Sequence, residues 1–120
     1  MIINGKERGF ALTIEAADEL GKLCPGNDFR NLGELYAGKT FQDMMRLDIQ
    51  VAIILNKGYE DARAYFEPGY NPDYLTEKDF AFFQIAEIGQ LESILVGVIK
   101  ADQKVTIETE PIPQPGKKTE

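Results

Sequence analysis

The sequence predicts a mainly α-helical α+β domain that opens with a short β-hairpin, and three observations carry that expectation. Asn4-Gly5 lies between the apolar pair Ile2-Ile3 and the alternating Phe10, Leu12 and Ile14, and Asn-Gly is the strongest short-range hairpin signal because a type I′ turn needs positive φ at both central residues. From Thr13 to about residue 102, apolar residues recur at helical rather than alternating spacing. Beyond that, Pro111, Pro113, Pro115 and Gly116 stand in a polar end that buries too little apolar surface to offset chain entropy. One globular domain over residues 1–110 and a disordered tail over 111–120 are therefore expected of this 120-residue chain.

Each element follows from local signals. Thr13 caps a helix to about Leu23, with Ile14, Ala17 and Leu20 on one face and mostly charged residues on the other, and Pro25-Gly26-Asn27 ends it. Asn27 or Asp28 starts a short helical segment through Tyr36 that Gly33 weakens. Thr40, with Asp43 three residues on, opens a central helix expected to run to Asn56 and stop near Gly58. Its polar stripe of Gln42, Asp43, Arg46 and Gln50 is narrow, which makes it the core helix or partly an interface. A further short helix over Tyr59–Phe66 closes at Pro68, and the run from Pro68 to Asp73 is irregular. Thr76, with Asp79 at the third position and Leu75 spaced to staple Phe80, marks the clearest helix start; two segments, 77–88 and 90–102, are expected around Gly89. Alternation of Val105 and Ile107 suggests an extra strand near 104–110 that could join the hairpin.

Composition excludes several kinds of chemistry. There is no histidine and only Cys24 among the thiols, so His-based dyads and triads, Cys/His zinc sites and internal disulfides are out. Twenty acidic residues against thirteen basic give a net charge of −7, which argues against a nucleic-acid partner held by counterion release. All of that excess precedes residue 104 and reads chiefly as a solubility device. No window reaches a membrane-spanning length of uninterrupted apolar residues and no leader pattern opens the chain, so a soluble, cytosolic protein without a membrane partner is expected. Phosphate loops, dinucleotide fingerprints and calcium loops are lacking too. No catalytic, cofactor-binding or metal-binding residue stands out. Paired acids such as Asp18/Glu19 and Glu77/Asp79 fall at helix starts or on polar faces where acids belong, and Cys24 reads as a small core residue.

Two features point instead to binding. Asp48 falls over Met44, Met45, Ala52 and Leu55 rather than in the polar stripe; a buried carboxylate must be paired, so it meets Arg30, Arg46 or Arg63 within the fold or awaits a partner chain. Seven of the twelve aromatics lie between Tyr65 and Phe83. Phe80 and Phe83 can face the core together while Phe82 points elsewhere; the cluster is a second core under a long loop, or a partner-binding surface in which Tyr70, Tyr74 and Phe82 take part.

The order of elements resembles a known family. The hairpin "MIINGKERGFALTI", followed at once by "EAADEL", an apolar central helix, and "LTEKDF" opening the last helices, resembles the tail assembly chaperones of long-tailed bacteriophages over residues 1 to about 103. The resemblance implies a non-enzymatic protein without cofactors that acts in the bacterial host cytoplasm and is absent from the mature virion. It also implies a protein partner, the long helical tape measure protein, together with tail tube subunits, and a second, longer form made by ribosomal frameshifting. Gly116-Lys117-Lys118 is compatible with a slippery codon run and equally with a solubilising end. The "KVTIETE" stretch has no place in the family pattern. Self-association, an acidic decoy for a basic host protein, and a structural virion or tail-completion protein stay open as alternatives.

Overall fold

The computed structural model describes residues 1–109. Two short strands, β1 (Ile2–Ile3) and β2 (Lys6–Glu7), pair antiparallel with Ile2 opposite Glu7, and Asn4 and Gly5 take φ of 53° and 78° in the connecting turn. Helices follow: α1 (Ile14–Leu23), α2 (Leu32–Tyr36), α3 (Phe41–Phe66) and α4 (Ile85–Thr109). Short 3-10 turns at Pro25–Asn27, Phe29–Asn31 and Glu77–Phe80 link them. The mainly helical α+β architecture expected from sequence is the one observed.

The cap residues behave as their chemistry dictates. Thr13 Oγ1 accepts from the Ala16 amide at 3.1 Å, Asp28 Oδ1 from Arg30 at 2.9 Å, and Thr40 Oγ1 from Asp43 at 3.1 Å. Each satisfies one of the orphan amides of a first turn. The core is a single cluster in which Leu20 of α1, Val51, Ala52 and Leu55 of α3, and Leu91 and Leu95 of α4 meet Ile3, Leu75 and Phe80. Ile14 stands outside it at 90% exposure; Ala16, Leu20 and Gly21 are the residues α1 buries.

Three boundaries differ from expectation. The central helix does not stop at Gly58; α3 runs unbroken for 26 residues, about 39 Å, to Phe66. Gly58 is buried within it, and a Cβ there would stand 2.8 Å from the Ala11 carbonyl oxygen. The glycine therefore marks a crossing rather than a helix end: the segment after the hairpin lies directly on α3, with the Ala11 amide donating to the Leu55 carbonyl at 3.0 Å. The expected helix over 77–88 is a single 3-10 turn, Glu77–Phe80, and α4 starts afresh at Ile85, where the Glu87 carboxylate accepts from the Gln84 amide at 3.1 Å. From there α4 passes Gly89 without a break. The strand suggested near 104–110 is corrected by the same helix, which continues through Thr109. A helix closes its hydrogen bonds within itself, whereas a strand needs an edge, and two-residue strands offer very little of one. The expected disordered tail at 111–120 lies outside the described residues.

The long irregular segment after α3 is tied down by buried polar side chains. Asn56, wholly buried, accepts from the Leu75 amide at 2.8 Å and donates to the Gly9 carbonyl at 3.0 Å. Glu60, also buried, accepts from the Tyr70 hydroxyl at 2.6 Å and the Asp73 amide at 2.9 Å. Arg8 reaches across from the hairpin to the Asp73 carbonyl and lies 3.7 Å from Asp79. One face of α3 thereby holds both the amino-terminal arm and the return loop.

Candidate functional site

Asp48 is 2% exposed, as its place among apolar neighbours on α3 requires. Its partner is not an arginine. Tyr36, at the end of α2, donates its hydroxyl to Asp48 Oδ1 at 2.9 Å, and Glu92 of α4 comes close enough to raise the Asp48 pKa through both charge and hydrogen bonding. The three arginines expected to compete for it are engaged elsewhere: Arg30 with Asp28, Arg46 with Asp43 and Arg63 with Glu67. All three of those pairs join residues two to four positions apart, so short-range geometry wins over a reach into the core.

The electrostatics follow from this setting. Burial pushes the Asp48 carboxyl up, the Tyr36 hydrogen bond pulls it down, and the Glu92 carboxylate pushes it up again, to about 6. The Tyr36 hydroxyl is held well above its ordinary value, first by burial and then by the Asp48 charge. An acid titrating near neutrality, beside a second acid, can release or take up a proton or accept a cation.

These groups lie in a groove of about 490 Å³ between α2, α3 and α4. On α4, Glu92, Leu95, Val96 and Ile99 line it with i, i+3, i+4, i+7 spacing. The α3 wall is Met44, Asp48 and Val51, again at helical spacing, and Leu32 with Tyr36 forms the third side. Three helical stripes thus face one trough whose surface is mostly apolar and whose acids sit between apolar residues. Its volume falls within the range of ligand-sized clefts, about 300–1,000 Å³. Arg30 and Lys100 lie along its margin.

The other sequence candidates are not gathered there. Tyr70 and Tyr74 belong to the loop across α3; the Tyr70 hydroxyl is committed to Glu60 and the Tyr74 hydroxyl to Asp61, and the Arg63 guanidinium stacks 4.2 Å from the Tyr70 ring centroid. Phe82, in the turn before α4, is 94% exposed, while Phe80 and Phe83 pack edge to face at 5.1 Å. Cys24 is buried, its thiol pushed up by desolvation and donating to the Leu20 carbonyl at 3.2 Å, which is the behaviour of a core residue.

Tyr36 and Glu92 are the groove residues that sequence reasoning missed. A signal existed: Glu92 sits between Leu91 and Leu95, in phase with the apolar stripe of the last helix. A related signal marks the structural polar groups, because Asp48, Ala52, Asn56 and Glu60 follow one another at intervals of four and all are buried. Among the described residues there is no cluster of three or more acidic or thiol groups that could hold a metal ion, and no helix is long and apolar enough to cross a membrane.

Comparison with known proteins adds no relative: no family model matches the chain, and neither do curated proteins or solved structures.

Proposed function

We propose that this protein is a non-catalytic phage tail assembly chaperone that binds an apolar helical stretch of the tape measure protein and keeps it soluble during tail assembly. The observation that carries this reading is the groove walled by three helical stripes. An amphipathic helix seated there would complete a four-helix arrangement, the helix-in-groove mode of recognition. The resemblance of the hairpin, acidic first helix and threonine-marked late turn to that family supplies the identity of the partner. The net charge of −7 supplies the repulsion that keeps a covered, otherwise aggregation-prone helix dispersed. In this reading the chain works in the bacterial cytoplasm and leaves before the virion is complete.

Co-expression tests it. The chain should raise the soluble fraction of a long tape-measure-like protein from the same genome, and it should be absent from purified particles. Presence at stoichiometric levels in particles would instead favour a structural or tail-completion role. Failure to bind or solubilise the tape measure protein would remove the chaperone reading. The acidic-decoy reading has its own signature, capture of a basic host protein that is released by moderate salt. Phe82→Ser is the clean test of the aromatic surface, because Tyr70 and Tyr74 cannot be exchanged without releasing Glu60 and Asp61.

A further inference from the structure

The groove carries more than an apolar surface. Its lining brings together two carboxylates, Asp48 of α3 and Glu92 of α4. Among the described residues no ion pair involves Asp48 or Glu92. Arg30 is held by Asp28 at 2.8 Å with its own side chain 88% exposed, and Lys100 is exposed at the margin. The hydrogen bond that Asp48 accepts at 2.9 Å comes from the Tyr36 hydroxyl, which brings no charge. Glu60, the other buried acid among the described residues, accepts two hydrogen bonds, and the partly buried Asp79 takes Asn4, Thr76 and a nearby Arg8. Two facing acids in a mostly apolar trough are costly when both are charged, and a cation brought by the occupant relieves that cost.

We infer that the groove between α2, α3 and α4 recognises an amphipathic helix carrying a lysine or arginine within its apolar face, the cation seating between Asp48 and Glu92 while Leu95, Val96 and Ile99 take the neighbouring apolar side chains. This deepens, and rests on, the reading of the groove as the partner site. Charge complementarity selects this occupant over a uniformly apolar helix, which would cover Glu92 beside the already buried Asp48 and bring no cation to either carboxylate. The geometry also gives selectivity: a helix bearing an acid at the same position meets two like charges and is rejected.

The selection depends on pH. The groups facing Asp48 are Tyr36 from α2 and Glu92 from α4, with Arg30 and Lys100 farther out along the groove. Below the range in which Asp48 ionises, its proton occupies the place of the partner's cation, so cation binding expels a proton and weakens as pH falls.

The test uses the full chain and two synthetic helical peptides that are identical except at the centre of the apolar face, one with lysine and the other with uncharged norleucine. Titration calorimetry at neutral pH should give the lysine peptide at least about tenfold tighter binding, a preference that shrinks toward pH 5. The double substitution Asp48→Asn with Glu92→Gln should abolish the preference while leaving the norleucine peptide bound at least as well as before. Val96→Glu, at a partly exposed position on the groove wall, should weaken both peptides while leaving the thermal midpoint unchanged. Equal or tighter binding of norleucine would overturn the cation inference and leave the groove as an apolar helix site. If neither peptide binds, or if Val96→Glu binds both normally, the groove is not the partner site and both readings fall. Sedimentation of the free protein reads the remaining occupant: a dimer dissociated by Val96→Glu would mean that a second copy fills the groove, and would overturn the inference.

Discussion

Replacing Asn56 with alanine removes a buried side chain that joins the amino-terminal arm, the central helix and the return loop. Its amide oxygen takes the Leu75 N–H at 2.8 Å and its nitrogen serves the Gly9 carbonyl at 3.0 Å, in a position with no solvent exposure. Leu75 is itself 1% exposed, so water cannot replace the lost acceptor. A buried backbone group left without a partner costs about 1–3 kcal/mol, and the Gly9 carbonyl, nearer the surface, falls at the low end. Alanine returns roughly 0.5 kcal/mol through its higher helix propensity. The net expectation is a loss of about 1.5–3.5 kcal/mol, a large share of the roughly 5–15 kcal/mol that holds a domain of this kind together. Urea unfolding followed by circular dichroism measures it, and hydrogen exchange at the Leu75 amide should accelerate by at least the same factor. A second variant separates hydrogen bonding from packing. Asn56→Asp keeps the shape and, when protonated, can still serve both partners. Burial raises its pKa above the unfolded value of about 3.9, so its stability should approach the natural protein's below pH 4 and fall as pH rises and the carboxylate faces the Gly9 oxygen. A loss under about 1 kcal/mol for Asn56→Ala, or a flat pH response for Asn56→Asp, would refute the view that this residue is the pin.

Further outcomes are expected at the groove, the crossing and the return loop. Asp48, raised to about 6, favours the folded state fully below the unfolded pKa near 4, and that contribution is lost as pH climbs through 6; relative to the natural protein, Asp48→Asn should gain roughly 2–3 kcal/mol between pH 4 and 7.5 in paired denaturation curves, and no relative gain would mean that the carboxyl is solvated. Reversal to lysine at the same position should destabilise by about 2–5 kcal/mol, because it removes the acceptor of the Tyr36 hydroxyl and forces a longer side chain into a site that is 2% exposed, a neutral outcome contradicting its burial. Gly58→Ala should lose about 1–3 kcal/mol in thermal unfolding despite better helix propensity, because the added methyl meets the Ala11 backbone; a stabilised variant would show that the arm does not lie on α3. Asp79→Ala should cost more than the roughly 1 kcal/mol expected of Thr76→Ala, since the carboxylate serves both Thr76 and Asn4 and its pKa is lowered first by Asn4; its contribution is present above about pH 4 and lost in more acid solution, which a pH series of unfolding midpoints reads.

The sequence by itself determined what is local. The Asn4-Gly5 turn, the Thr13 and Thr40 caps, the end of α1 at Pro25 and the apolar stripe of the last helix follow from φ preferences, orphan amides and helical periodicity, which act over a few neighbouring residues. It also placed Asp48 on a buried face, because periodicity alone fixes the phase of a helix. Tertiary structure decided the rest. Gly58 reads as a stop when only its neighbours are considered and becomes a helix interior once the arm presses on it. The stretch after residue 103 alternates like a strand, yet without a long edge to join it is helix. Asp48 finds Tyr36, twelve residues away, and Glu92, from a helix far along the chain, rather than any arginine, since partner choice depends on which side chains the packing of three helices brings within reach. The groove has the same origin: the apolar spacing along α3 and α4 is legible in sequence, but the trough exists only where residues of α2, α3 and α4 come to line one space.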